Sequence, residues 1–128
     1  SRFVCSEESS GHAAFKQHVV ESREGDTLLT LKELAPVRMM RNTFFNEVQA
    51  AYANCATVEE LKTLLGRARA KRGMFEGELE QGELEIGQVS AAIREVLPAG
   101  EIVRRVMAEF DAARERLIAL RPGPDVLR

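Results

Sequence analysis

The sequence predicts a mainly helical α+β fold in which two or three short strands interrupt the helices and one long helix closes the chain. Three observations carry this expectation. Apolar residues recur every three or four positions through Ile102, Val103, Val106, Met107, Phe110, Ala113, Leu117 and Leu120, the spacing of one helical face. Thr57-Val58-Glu59-Glu60 sets a threonine three residues before a glutamate, so that each side chain can satisfy the other residue's free backbone N–H at a helix start. The runs TLLTL (27–31) and VRMM (37–40) are short, aliphatic and bounded by breakers, as strands are.

In chain order, Arg2-Phe3-Val4-Cys5 reads as the tail of a buried strand. Ser9, Ser10 and Gly11 offer capping groups to a helix over 12–22, with Ala14, Phe15, Val19 and Val20 on its apolar flank; Gly25-Asp26 breaks it. The two strand-like runs follow and can pair. Asn42 then caps a helix whose Phe44, Phe45, Val48 and Tyr52 share a face. The helix begun at Thr57 carries Leu61, Leu64 and Leu65, Gly66 ends or interrupts it, and ARAKRGMFEG continues with helix formers to Gly77. ELEIGQVSAAIREV reads as a further helix closed at Leu97-Pro98, because the residue before proline disfavours helical backbone. From Pro98 to about Leu120 runs the long helix, its stripe expected to be buried against the rest of the chain or against a part outside it. RPGPDVLR reads as a frayed tail.

Gly73, Gly77, Gly82 and Gly87 punctuate a segment otherwise rich in carboxylates. A mid-helix glycine costs about 1 kcal/mol relative to alanine. Gly87 therefore marks a place where a neighbouring helix, a strand end or a ligand comes close to the backbone.

The totals exclude several function classes. A chain of 128 residues fits one domain, and its net charge of −2 with interleaved signs singles out neither nucleic acid nor an anionic membrane as partner. No apolar run reaches the roughly 20 residues of a membrane span. Cys5 and Cys55 show no CxxC spacing, which points to a reduced, cytoplasmic protein. His12 and His18, six apart, project in nearly opposite directions on a helix and predict no metal site. GQVS lacks the closing glycine of a nucleophile elbow. The basic run Arg67, Arg69, Lys71 and Arg72 reads as a solvated face with local ion pairs rather than a dock for an acyl carrier protein or phosphate. Glu76, Glu78, Glu80, Glu83 and Glu85 show no pair fixed across a cleft. No catalytic residue is expected in this chain, and composition alone describes a non-catalytic helical interaction module.

A resemblance adds to this. Ser1-Arg2-Phe3, then Glu8-Ser9-Ser10-Gly11-His12, then DTLLT and PVRMMRN, and finally Gly87-Gln88, stand in an order that resembles the C-terminal third of the FMN-dependent nitronate monooxygenase and enoyl-acyl-carrier-protein reductase II family. The similarity extends to about Leu120. It implies the C-terminal fragment of an FMN-binding TIM barrel, a fold that typically needs about 250 residues: the end of the last barrel strand and its following helix over 1–24, a small helical lobe over 25–82, helices returning to the barrel over 83–120, and a flexible tail over 121–128. In the family a Gly-Thr-Arg-Phe motif lies against the FMN phosphate; Ser1 stands at the threonine and keeps a hydroxyl there. Gly87-Gln88 match the family's Gly-Gln near the flavin, preceded here by Glu85-Ile86 where a small or apolar pair is common. The resemblance thus implies FMN as cofactor, Ser1, Gly87 and Gln88 as cofactor-binding residues, a catalytic histidine in an N-terminal barrel outside this chain, and a small-molecule substrate. The expected activity is oxidation of an alkyl nitronate with dioxygen, the alternative being enoyl-thioester reduction with a nicotinamide donor. A homodimer is left open.

Overall fold

Local capping chemistry sets most helix starts in the computed structural model, which describes residues 1–120. His12 Nδ1 accepts the Ala14 N–H at 3.1 Å and opens α1 (Ala13–Glu21). Asn42 Oδ1 accepts the Phe45 N–H at 2.8 Å and opens α2 (Thr43–Ala53). The reciprocal Thr57–Glu60 box is formed at the start of α3 (Val58–Leu65), which Gly66 ends at a positive φ of 63°. Next come α4 (Arg69–Glu76), ended by Gly77 in the left-handed region, and the long α5 (Ala99–Ala119). The strands β1 (Thr27–Thr30) and β2 (Val37–Met40) pair antiparallel, Thr27 opposite Met40 and Thr30 opposite Val37. The tail at 121–128, expected to be frayed, lies outside the described residues.

Two expectations are corrected. Arg2–Cys5 is a 3-10 turn rather than a strand tail. With no strand alongside it among the described residues, its backbone closes on itself, Val4 N–H to the Ser1 carbonyl at 3.0 Å and Ser6 N–H to the Phe3 carbonyl at 3.2 Å. Strand-like pairing is reached only at its end, where Ser6 bridges Leu97 in parallel. ELEIGQVSAAIREV is likewise not a helix. Leu84 and Ile86 are buried while Glu85 between them is exposed, an alternation of period two, and the segment lies along β2 as a third extended piece. The Met40 N–H reaches the Leu84 carbonyl at 3.0 Å and the Ile86 N–H the Arg38 carbonyl at 3.1 Å. A second 3-10 turn, Gln88–Ala92, follows. Leu97-Pro98 close no helix, because Pro98 stands at the N-terminal boundary of α5.

β2 divides the core. Met40 joins Cys5, Phe15, Val19, Leu84, Ile86 and Ile93 in one cluster, whereas its neighbour Met39 joins Leu31, Phe44, Phe45 and Val48 in the other. Successive strand side chains point to opposite faces, so one strand serves both clusters. Against the first cluster lies the glycine-rich passage. A Cβ on Gly73 would stand 2.8 Å from Leu84 Cδ2, and one on Gly82 would strike the backbone of Gly73, so α4 and the 78–84 segment cross in backbone contact. Asn42 fastens this crossing to α2, its Nδ2 donating to the carbonyls of Leu79 and Gly82, each at 2.7 Å.

α5 is held at its N-terminal half. The Glu8 carboxylate accepts the Ala99 N–H at 2.8 and 3.1 Å, Ile102 is buried, and Arg2 makes a two-pronged pair with Glu109 at 3.0 and 3.2 Å. Val103, Val106, Met107, Phe110 and Leu117 are exposed. The stripe expected to be buried is therefore not covered by the described residues of this chain.

Candidate functional site

Ser1 and Gly87 come together from distant parts of the sequence, with Gln88 next to Gly87, and the first core cluster explains how. Phe15 and Val19 of α1 draw Cys5 into the cluster that also holds Leu84 and Ile86, so the residue before Arg2 and the residue after Ile86 emerge at the same edge. The loop between the first turn and α1 is fixed from below by Lys16, a buried lysine whose Nζ donates to the carbonyls of Ser6 at 2.6 Å, Ser9 at 2.9 Å and Glu7 at 3.3 Å. Burying an ammonium is expensive unless its donors are all used, and these three carbonyls use them. Sequence reading missed Lys16, since nothing local distinguishes it from a surface lysine.

At that edge a Cβ built on Gly87 would stand 3.2 Å from Ser1 Oγ. Ser1 makes no side-chain capping bond to the turn it begins, and it is exposed. The absent Gly87 side chain thus leaves an uncovered hydroxyl beside a bare stretch of backbone. Gly87 has ordinary extended geometry, φ −74° and ψ 156°, so its conformation does not demand glycine; the space beside Ser1 is what a side chain would fill. Close approach at Gly87 was the sequence expectation, but it occurs at the end of an extended segment rather than inside a helix. Gln88, next in sequence, is exposed and faces an open groove.

The other candidates have structural partners. His12 packs its ring over Gly77, and its backbone N–H donates to the Met74 carbonyl at 2.8 Å. Among the described residues no three His, Cys, Asp or Glu side chains gather as a metal would require. Arg69 departs from the solvated face expected for the basic run. Its Nε donates to the Leu65 carbonyl at 2.8 Å, its Nη1 to the Gln81 carbonyl at 2.8 Å, and its guanidinium stacks on Phe44 at 4.3 Å. Of the glutamates, Glu78 accepts the Gln81 N–H at 2.9 Å and Glu76 pairs with Lys71 at 3.2 Å. Burial, reinforced by nearby Glu85 and opposed by Arg69, holds the Glu83 carboxyl above its usual range. Burial likewise pushes the Cys5 thiol up, and the residue packs in the first core cluster.

A family model described as nitronate monooxygenase matches residues 1–109. The chain belongs to this family. FabK from Thermotoga maritima superposes with a TM-score of 0.77 at 29% identity, over 91% of this chain and 37% of that one. A point mutant of the same FabK gives a TM-score of 0.74 at 29% identity, over 91% and 34%. The chain therefore spans about a third of the length of these solved relatives. No curated protein compared with it matches. The family match reaches only Glu109, the residue paired with Arg2, so the last turns of α5 lie beyond it.

Proposed function

We propose that this chain is the C-terminal segment of an FMN-dependent oxidoreductase, most like a nitronate monooxygenase, with Ser1 and Gly87 forming the edge that receives the cofactor phosphate and Gln88 facing the flavin or substrate side. The observation that carries the reading is the uncovered Ser1 hydroxyl beside the Cβ-free backbone of Gly87. Family membership and the ordered motifs support it. The site fits the group: a hydroxyl can donate to a phosphate oxygen, and a glycine lets that oxygen come close to the backbone. When bound, FMN would supply the electron transfer, whose chemistry belongs to the cofactor. This chain's part is to hold and shield. Ser1 orients the phosphate, the Gln88 amide offers one acceptor and two donors at the neighbouring edge, and Lys16 keeps the loop beneath Ser1 in place. The family's catalytic histidine and the remaining FMN contacts belong to the barrel that this reading places before Ser1.

A second reading is enoyl-thioester reduction with a nicotinamide donor. The likeness to FabK, the enoyl-acyl-carrier-protein reductase II of the family, favours it.

The test is flavin content. In the flavin-bearing protein, Gly87→Ala crowds the Ser1 hydroxyl without straining the backbone, and the expected loss is about 1.5 kcal/mol, the worth of one hydrogen bond to a charged group, or roughly tenfold in FMN affinity. Ser1→Ala should match it. The 128-residue chain alone is expected to leave gel filtration without stoichiometric flavin. Normal flavin content in both variants, with unchanged folding, removes Ser1 and Gly87 from the site.

A further inference from the structure

Ser1 makes no side-chain capping bond to the turn it opens, so the place of its hydroxyl is set by whatever holds that turn. Two ties are local. The Ser1 carbonyl accepts the Val4 N–H at 3.0 Å, and Ser9 Oγ donates to the Val4 carbonyl at 2.6 Å, which joins the turn to the loop that Lys16 secures. The third tie comes from 107 positions away. Arg2 Nη1 and Nη2 donate to the two carboxylate oxygens of Glu109 at 3.2 and 3.0 Å. A two-pronged guanidinium–carboxylate pair fixes the orientation of both groups as well as their separation, which a single-point contact does not. Glu109 belongs to α5, which is itself seated by the Glu8 cap at Ala99, by buried Ile102 and by the pairing of Arg105 with Glu95. Both ion pairs line one hollow of about 220 Å³ together with Ile93 and Ile102, so the first turn, the 92–97 segment and α5 meet there. Arg2 directly follows Ser1. A rotation of the turn that broke the pair would therefore carry the Ser1 hydroxyl away from Gly87.

We propose that Arg2 is a positioning residue for the flavin phosphate: gripped by Glu109, it fixes the first turn so that the Ser1 hydroxyl stays beside Gly87. The inference rests on the flavin reading above and deepens it, because it makes α5 one of the elements that set cofactor affinity. Arg2 acts through Ser1 and not on the phosphate itself. Both of its terminal nitrogens are turned to Glu109 and its charge is matched there, whereas an arginine meant for the phosphate would present that fork to the ligand. The pair is partly exposed, 39% at Arg2 and 60% at Glu109, so water screens it and its effect on binding is a few-fold rather than an outright loss.

The flavin-bearing protein is stripped and reloaded, and the dissociation constants of FMN and of riboflavin, the same ring system without the phosphate, are measured by flavin fluorescence. Glu109→Gln, which keeps the shape of the partner and removes its charge, should weaken FMN about threefold and leave riboflavin unchanged. Arg2→Met should give the same loss, and Arg2→Lys, which keeps a single-point pair, a smaller one. In a Ser1→Ala background Glu109→Gln should add nothing, since the hydroxyl that the pair positions is gone. Equal weakening of FMN and riboflavin overturns the proposal, because the pair would then hold the fold in general. Losses that add in the double variant overturn it as well. So does FMN binding that is unchanged or tighter in Glu109→Gln while Ser1→Ala weakens it, a result that leaves Ser1 in the site and frees Arg2 of this role. If Ser1→Ala itself has no effect on FMN, the Ser1–Gly87 reading falls, and this proposal with it.

Discussion

Glu83 shows how a single residue records the cost of the glycine crossing. It sits between Gly82, whose backbone touches Gly73, and Leu84, which fills the first core cluster, so its carboxyl is carried into the protein by neighbours that cannot move outward. Burial raises its pKa above the ordinary value of 4.5, with Glu85 adding repulsion and Arg69 partly opposing. The folded state therefore binds the Glu83 proton more tightly than the unfolded chain. The stabilisation by that proton is complete below the unfolded pKa and is lost as pH rises through the raised folded pKa. Above the raised folded pKa the carboxylate is ionised in both states, and folding bears the desolvation. Glu83→Gln should accordingly melt at a higher temperature than the native chain at pH 7, with the difference closing as pH falls toward 4.5. Thermal scans of both proteins between pH 7 and pH 4.5 measure this; a difference independent of pH would show that ionisation is not its source.

At the scale of elements, Arg69 ties three together at once. Its donors close the C-terminal carbonyls of α3, its Nη1 holds Gln81 in the turn after α4, and its plane covers Phe44 of α2. Arg69→Ala should cost about 1.5 to 3 kcal/mol in urea unfolding, the range for hydrogen bonds to a charged group. Arg69→Lys should recover less than half of that loss, since an ammonium cannot serve carbonyls on both sides or stack on the ring. Caps were legible in the sequence because they are local: Asn42, the Thr57–Glu60 box, Gly66 and Gly77 need only their own turn. Arg69 was not legible, because its partners lie on α2 and α3 and beyond α4. Residues 83–96 misled for a related reason. Glu, Leu, Ile and Ala favour helix intrinsically, but pairing of 84–86 with β2 wins, and that partner lies more than forty positions earlier. Glu8, which caps α5 from 91 positions away, had no signature at all. Of the candidate site, Ser1 and Gln88 were singled out through family resemblance alone and Gly87 also through its glycine, whereas the approach of Gly87 to Ser1 became visible only once the fold brought them together.

Across the whole molecule, the two clusters and the crossing at Gly73 and Gly82 are closed within the described residues, whereas α5 is not. Its ties to the rest of the chain among those residues, the Glu8 cap, Ile102, the pairing of Arg105 with Glu95 and the Arg2–Glu109 pair, lie at or before Glu109. Its apolar stripe stands open, with Val103 50%, Phe110 57% and Leu117 71% exposed. A contiguous apolar face of this kind on a helix that is otherwise charged is a surface built to be covered. In the proposed reading the cover is the barrel that FabK-length relatives carry, entering beside Ser1, where Arg2 already holds α5 in place. The same substitution should then behave differently in two contexts. In the 128-residue chain Phe110→Ala removes an exposed ring and should change stability by no more than about 0.5 kcal/mol. In a protein extended to the length of the solved relatives, the ring would be buried and its loss should cost about 3 to 5 kcal/mol. Chemical unfolding of both pairs decides it. Equal, small effects in the two proteins would leave the α5 stripe outside the interface with the barrel.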